Sequence, residues 1–139
     1  MADIFSKEKR SQVMSKIRSS GNLSTELALA NAFRAAGLKG WRRHQRLVGG
    51  RPDFLFRRKR VCVFVDGCFW HGCPRCYRAP TSNVEYWAPK IIRNRRRDRR
   101  IERALRRCGF RVFRIWECQL KQPRLAARFI SRLQRALDV

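Results

Sequence analysis

Residues 53–66 read Asp53-Phe54-Leu55-Phe56-Arg57-Arg58-Lys59-Arg60-Val61-Cys62-Val63-Phe64-Val65-Asp66. Two short apolar runs, rich in aromatic and β-branched residues, flank four consecutive cations, which is the pattern of a β-hairpin. The second run, Val61 to Val65, has no polar alternate, so it reads as a strand covered on both faces. Folding this hairpin brings its two outer ends together. Each end is an aspartate: Asp53 opens the first strand and Asp66 closes the second.

Upstream, Trp41 to Val48 reads as a basic strand that turns at Gly49-Gly50. A helix is predicted from about Asn22–Ser24 to Gly37, with Glu26 in its first turn and Leu23, Leu27, Ala30 and Phe33 as its apolar stripe. Residues 6–19, with Val13, Met14 and Ile17, give a weaker helical pattern. Downstream, residues 67–82 form a Cys-, Gly- and Pro-rich loop, and a long helix spans about Glu85 to Arg107, with Ile91, Ile92, Ile101, Leu105 and Cys108 on one side. Gly109 ends it, Arg111 to Trp116 is the last strand, and Leu125, Phe129, Leu133 and Leu137 mark a closing amphipathic helix. The order α-α-β-β-β-α-β-α describes an α/β (α+β) domain, a small mixed sheet packed by helices. A chain of 139 residues without repeats or linkers is expected to be one domain, residues 1–139.

Charge narrows the partner. Lys and Arg number 34 against 10 acids, a formal net charge of +24, and 27 of the cations are Arg. A folded domain under that much self-repulsion is built to meet a polyanion, and the guanidinium fork suits phosphates and base edges. Residues 93–107 alone hold nine Arg, a basic rod that with a polyanion becomes the main phosphate contact. No apolar run approaches the roughly 18 residues of a membrane span, and the first residues lack a secretory apolar core, so a cytoplasmic protein is expected.

The hairpin's paired aspartates would repel unless a cation sat between them, and oxygen ligands select a hard ion such as Mg²⁺. The alternative is that both are ordinary turn residues. Beside so much Arg, the natural substrate of a Mg²⁺ site is a phosphodiester. His71, five residues beyond Asp66, could take the proton from attacking water, or with Cys68 could ligate zinc. His44, on the basic strand, reads as solvated or phosphate-touching, with no catalytic role. Cys73-Pro74-Arg75-Cys76 is a CxxC pair, and with Cys68 and Cys118 it would close a structural Zn²⁺ site that pins the loop; Cys62 and Cys108 read as small core residues. Phe69-Trp70 in that loop, joined by Trp87, would unstack a base step if inserted into a duplex, or else pack the core. Lys90, Asn94 and Asp98 share one helix line, where Asn94 could read a base edge.

Several ordered segments together resemble the very short patch repair (Vsr) DNA mismatch endonucleases. They are Val65-Asp66-Gly67-Cys68-Phe69-Trp70-His71-Gly72-Cys73, Gly50-Arg51-Pro52-Asp53-Phe54, Glu85-Tyr86-Trp87 with Lys90-Ile91 and Asn94, Arg97-Asp98-Arg99-Arg100, and Trp116-Glu117-Cys118. Arg10-Ser11, Met14, Ile17 and Glu26 extend the likeness toward the N-terminus. The resemblance implies a restriction-endonuclease-like core and a Mg²⁺-dependent nick 5′ to the T of T:G mismatches left by 5-methylcytosine deamination, which starts very short patch repair. It implies Asp53 as the main metal-ligating carboxylate, the Val65 carbonyl as a second metal contact, His71 as general base and Glu26 as support for the metal's waters. It also implies an intercalating wedge of Phe69, Trp70 and Trp87, with Met14 on an N-terminal DNA-contacting helix (residues 1–20) and Lys90 and Asn94 near the mismatched bases. The resemblance also implies a monomer that acts at the nucleoid, beside mismatch-repair factors and a repair polymerase. This chain departs from its best-studied relatives in carrying Asp66 and Cys73 where they have His, and in its spacing to Cys76; a carboxylate at position 66 is able to bind metal directly. Two other readings remain: a non-catalytic basic zinc module, and a nickase of matched DNA.

Overall fold

The computed structural model describes residues 25–47, 49–68, 73 and 84–139. Helix α1 covers residues 25–35, followed by strands β1 (Trp41–Arg43), β2 (Phe54–Phe56) and β3 (Val61–Asp66). Helix α2 (Val84–Arg107) leads to β4 (Arg111–Trp116), the short α3 (Glu117–Leu120) and α4 (Pro123–Leu137). The strands form one sheet in the order β1-β2-β3-β4. The two hairpin pairings are antiparallel and β3–β4 is parallel, with α2 as the crossover that a parallel pair requires.

Alternation along the strands splits the core in two. Phe54, Phe56, Val61, Val63, Val65 and Ile115 face α1 and α4, meeting Leu29, Ala30, Phe33, Phe129, Leu133 and Leu137. Leu55, Cys62 and Val112 face the other way, against Leu105 and Ile101 of α2. Phe33 anchors the larger cluster, its ring 4.9 Å from Phe54, 5.6 Å from Phe56 and 5.8 Å from Trp41. The second cluster presses the turn before Asp53 onto α2. A Cβ at Gly50 would lie 2.4 Å from Ile101, and one at Gly49 2.8 Å from Ala104.

The mixed sheet, the hairpin, the crossover helix and the closing helix match the sequence expectation, as does the stop at Gly37. There φ is +74°, and the Gly37 and Leu38 amides donate back to the Arg34 and Phe33 carbonyls. Four details differ. Strand β1 ends at Arg43 rather than running to Val48, because His44 turns the backbone into the left-handed region at φ +54°. Helix α1 is rotated from its expected phase: Leu27 is 44% exposed, whereas Glu26 lies on the buried face with Leu29, Ala30 and Phe33. On α2, Ile92 points outward, and Cys108 is exposed rather than core. The added α3 turn is held by the Gln119 side chain, whose Oε1 accepts the Trp116 amide at 3.0 Å. The N-terminal helix expected over residues 6–19 lies outside the described residues.

Candidate active site

Three elements converge where β2 begins and β3 ends. Glu26, buried in the first described turn of α1, points toward the sheet end. Its Oε2 accepts Arg43 Nη2 at 3.1 Å and lies 3.3 Å from His44 Nε2. Asp53 enters the same space from the start of β2, and its Oδ2 accepts the Val65 amide at 2.7 Å across the hairpin. Glu26, His44 and Asp53 thus offer three ligand atoms within 4.8 Å of one another.

The charges are uncomfortable as they stand. The Asp53 carboxyl is pushed up to about 8, first by burial and then by a hydrogen bond with Glu26. The Val65 amide opposes this, and the negative charges of Glu26 and Asp66 add to it. A divalent cation beside Asp53 would oppose that rise and favour its ionised form. Oxygen donors beside one imidazole suit a hard or borderline cation such as Mg²⁺ or Mn²⁺. By chemistry, the donor set fits.

Asp66 is 2% exposed and its Oδ2 is paired with the Arg114 guanidinium. Arg114 also reaches Asp98 at 4.0 Å and Glu102 at 3.8 Å on α2, and lies 5.0 Å over the Phe64 ring. Asp53 and Asp66 are close enough to influence each other's charge, as the hairpin predicts, but Asp66 is engaged by an arginine that sequence reading did not foresee.

Beyond β3 the thiols of Cys68, Cys73 and Cys118 gather within 4.8 Å, with Cys73 Sγ and Cys118 Sγ 3.7 Å apart. Tetrahedral Zn²⁺ with Zn–S bonds near 2.3 Å spaces its sulfurs by about 3.8 Å, so these thiols fit such a centre. Trp87 is 5% exposed, its ring edge-on to Tyr86 at 4.6 Å. Lys90 Nζ lies 3.4 Å from the Tyr86 hydroxyl, and Asn94 is half-buried on the same helix. Met14, Phe69, Trp70, His71 and Cys76 lie outside the described residues.

His44 is the residue that sequence reading passed over. The signal lay in the register: Arg43 pairs with Phe54, so the next residue on β1 must stand beside Asp53. The His44 amide indeed donates to the Asp53 carbonyl at 3.2 Å.

Residues 2–78 match a family model described as DNA mismatch endonuclease Vsr. The chain is 39% identical over 140 residues to the type II nicking enzyme V.XorIIP of Xanthomonas oryzae pv. oryzae, covering 99% of this chain and 98% of the relative. It is 34% identical over 139 residues to the type II nicking enzyme V.NmeAIP of Neisseria meningitidis, covering 99% and 97%. It is 37% identical over 123 residues to the DNA mismatch endonuclease Vsr of Escherichia coli (strain K12), covering 87% and 77%.

Proposed function

Because the chain belongs to the Vsr DNA mismatch endonuclease family, we propose that it nicks one strand of duplex DNA 5′ to the T of a T:G mismatch left by 5-methylcytosine deamination. The observation that supports this best is the convergence of Glu26, His44 and Asp53 at one end of the sheet. A basic binding module has no use for two carboxyl groups brought this close together, because their charge repels the phosphates it must hold.

Asp53 and Glu26 would hold the catalytic cation, and their oxygen donors fit Mg²⁺. When bound, that ion neutralises charge developing at the scissile phosphate and favours ionisation of the attacking water. The chain's own residues do the positioning. The Val65 amide fixes one oxygen of Asp53, and Arg43 and His44 fix Glu26, so both carboxylates are oriented before substrate arrives. His71 accepts the proton of the attacking water, and the Val65 carbonyl is a further metal contact. Asp66, carrying Arg114, serves in this reading as a charge-balanced neighbour.

Cys68, Cys73 and Cys118, with Cys76 as fourth ligand, would hold a structural Zn²⁺ that ties Cys68 and Cys73 to α3. Phe69 and Trp70 of that loop, supported by Trp87, wedge into the mismatched step, with Met14 on the opposite groove and Lys90 and Asn94 beside the bases. No described helix is long and apolar enough to cross a membrane. We place the protein in the cytoplasm as a monomer that passes its nick to a repair polymerase alongside mismatch-repair factors.

A strand-resolved assay on T:G and T:A duplexes tests the reading. We expect Mg²⁺-dependent nicking of the T strand of T:G alone, abolished by Asp53→Ala with duplex binding retained. Equal nicking of T:A would show a nickase of matched DNA. Binding without cleavage in Mg²⁺ or Mn²⁺ would overturn the catalytic reading.

A further inference from the structure

Helix α4 carries two faces of opposite character. Phe129, Leu133 and Leu137 are buried against the sheet. Arg124, Arg128, Arg132 and Arg135 lie on the outward side, all exposed. The helix contains no acid, its first turn included. Among the described residues no carboxylate pairs with these four guanidiniums, in contrast to α2, where Asp98 and Glu102 lie against Arg114 and Glu102 also meets Arg106.

Such a stripe works against itself. Cations four residues apart repel along a helix, and Arg124 sits at the positive end of the helix dipole. An ordinary solvated face would intersperse acids here, as α2 does. A row of like charges without internal relief is matched to an external anion.

Its direction identifies that anion. The register Asp66–Trp116 puts the end of β4 beside the end of β3, so α4 starts at the sheet end that holds the carboxylates. Arg128 and Arg132 line one cleft with Arg114 and Gln119 at that end. The other end of α4, Leu137, lines a groove with Leu38, Phe56 and Lys59, toward the hairpin turn. From Arg124 to Arg135 the stripe runs about 16 Å at 1.5 Å per residue. At 3.4 Å per step that matches about five nucleotides of one DNA strand.

We propose that the outward face of α4 is a second DNA-binding surface, which grips the phosphate backbone of the duplex beyond the reach of the catalytic end. It lies across the sheet from the arginine rod of α2, and so adds contacts to a different stretch of backbone. This rests on the reading that the substrate is duplex DNA, but not on the protein being catalytic.

The test measures binding to matched duplexes by fluorescence anisotropy across a salt series, with one duplex just covering the catalytic end and one longer by about ten base pairs. The wild-type protein is expected to show a steeper salt dependence on the longer duplex. Replacing Arg124, Arg128, Arg132 and Arg135 by Gln should remove that extra slope, by about 0.9 per lost phosphate contact and up to about 3.6 in all. The short-duplex slope should stay unchanged. The corresponding Lys variants should keep the slope, which separates loss of charge from loss of fold. Unchanged slopes in the Gln variant on both duplexes would overturn the proposal and leave the stripe to an acidic protein. An equal loss from Arg57→Gln with Arg58→Gln, on the hairpin turn, would overturn it by showing only a general charge effect. Failure of T:G nicking with this slope pattern intact would count against the catalytic reading alone.

Discussion

Asp53 concentrates the chemistry of the site in one titration. Its folded value is raised from 3.8 to about 8, chiefly by burial and by Glu26, so the folded protein binds a proton that the unfolded chain releases. The stability this proton contributes is fully present below pH 3.8 and is lost as pH rises through about 8. Metal-free protein should therefore lose thermal stability across that window, and Asp53→Asn, which cannot ionise, should flatten the profile. Mg²⁺ competes with the same proton, so its addition should raise Tm more at pH 8 than at pH 5. Scanning calorimetry with and without Mg²⁺ checks both; a metal-induced rise that is the same at the two values would separate the ion from Asp53. Both carboxylates were legible in the sequence, Asp53 from the hairpin and Glu26 from its likeness to the family. His44 was not, because its place depends on a single left-handed backbone angle that ends β1 early, and strand propensity carries no sign of it.

Between the elements, Arg114 is the tie. It leaves β4, pairs with Asp66 on β3 and reaches Asp98 and Glu102 on α2, so one guanidinium joins the two parallel strands to the crossover helix. Removing one partner of a buried pair leaves the other charge uncompensated, at a cost of about 3–5 kcal/mol. Arg114→Leu should lower stability by that order in chemical denaturation, and adding Asp66→Asn should recover much of it. If the double variant is no more stable than the single, Asp66 is not the group that Arg114 relieves. The elements themselves were largely readable, since α2, β4, α4 and the hairpin each carry a clear period or turn signal. The phase of α1 was not. Periodicity placed Leu27 inward, whereas the fold turns Glu26 inward because Arg43 at the end of β1 and His44 just after it meet it there. Burial of a charge is decided by partners distant in sequence, which a local window cannot see.

At the scale of the molecule, +24 net charge sets the electrostatics and the thiol cluster sets the frame. Cys68 follows β3 and Cys118 belongs to α3, so a metal there would tie the ends of the two parallel strands to Cys73. Purified protein should contain one zinc per chain by elemental analysis, and a strong chelator should lower Tm. Cys118→Ser should reproduce the chelator's effect without adding to it. A native protein with full Tm and no zinc would remove the frame. The sequence proposed Cys68, Cys73 and Cys118 as ligands together with Cys76, and the structure brings the first three within reach of one another, a convergence that spacing alone leaves open.

The crossover also sets a timetable for the nascent chain. Everything that assembles the carboxylate cluster, from Glu26 to Val65, is synthesised before α2, whereas Arg114 follows only after the 24 residues of that helix. Domains fold as they are synthesised, N-terminal parts first, and parallel pairing is slow because it must await a distant strand. Until translation passes β4, Asp66 has no arginine to sit beside, and the half-made protein carries its acids without the counter-charge that quiets them. A ribosome stalled within α2 would thus hold a loosely closed hairpin rather than an early nuclease.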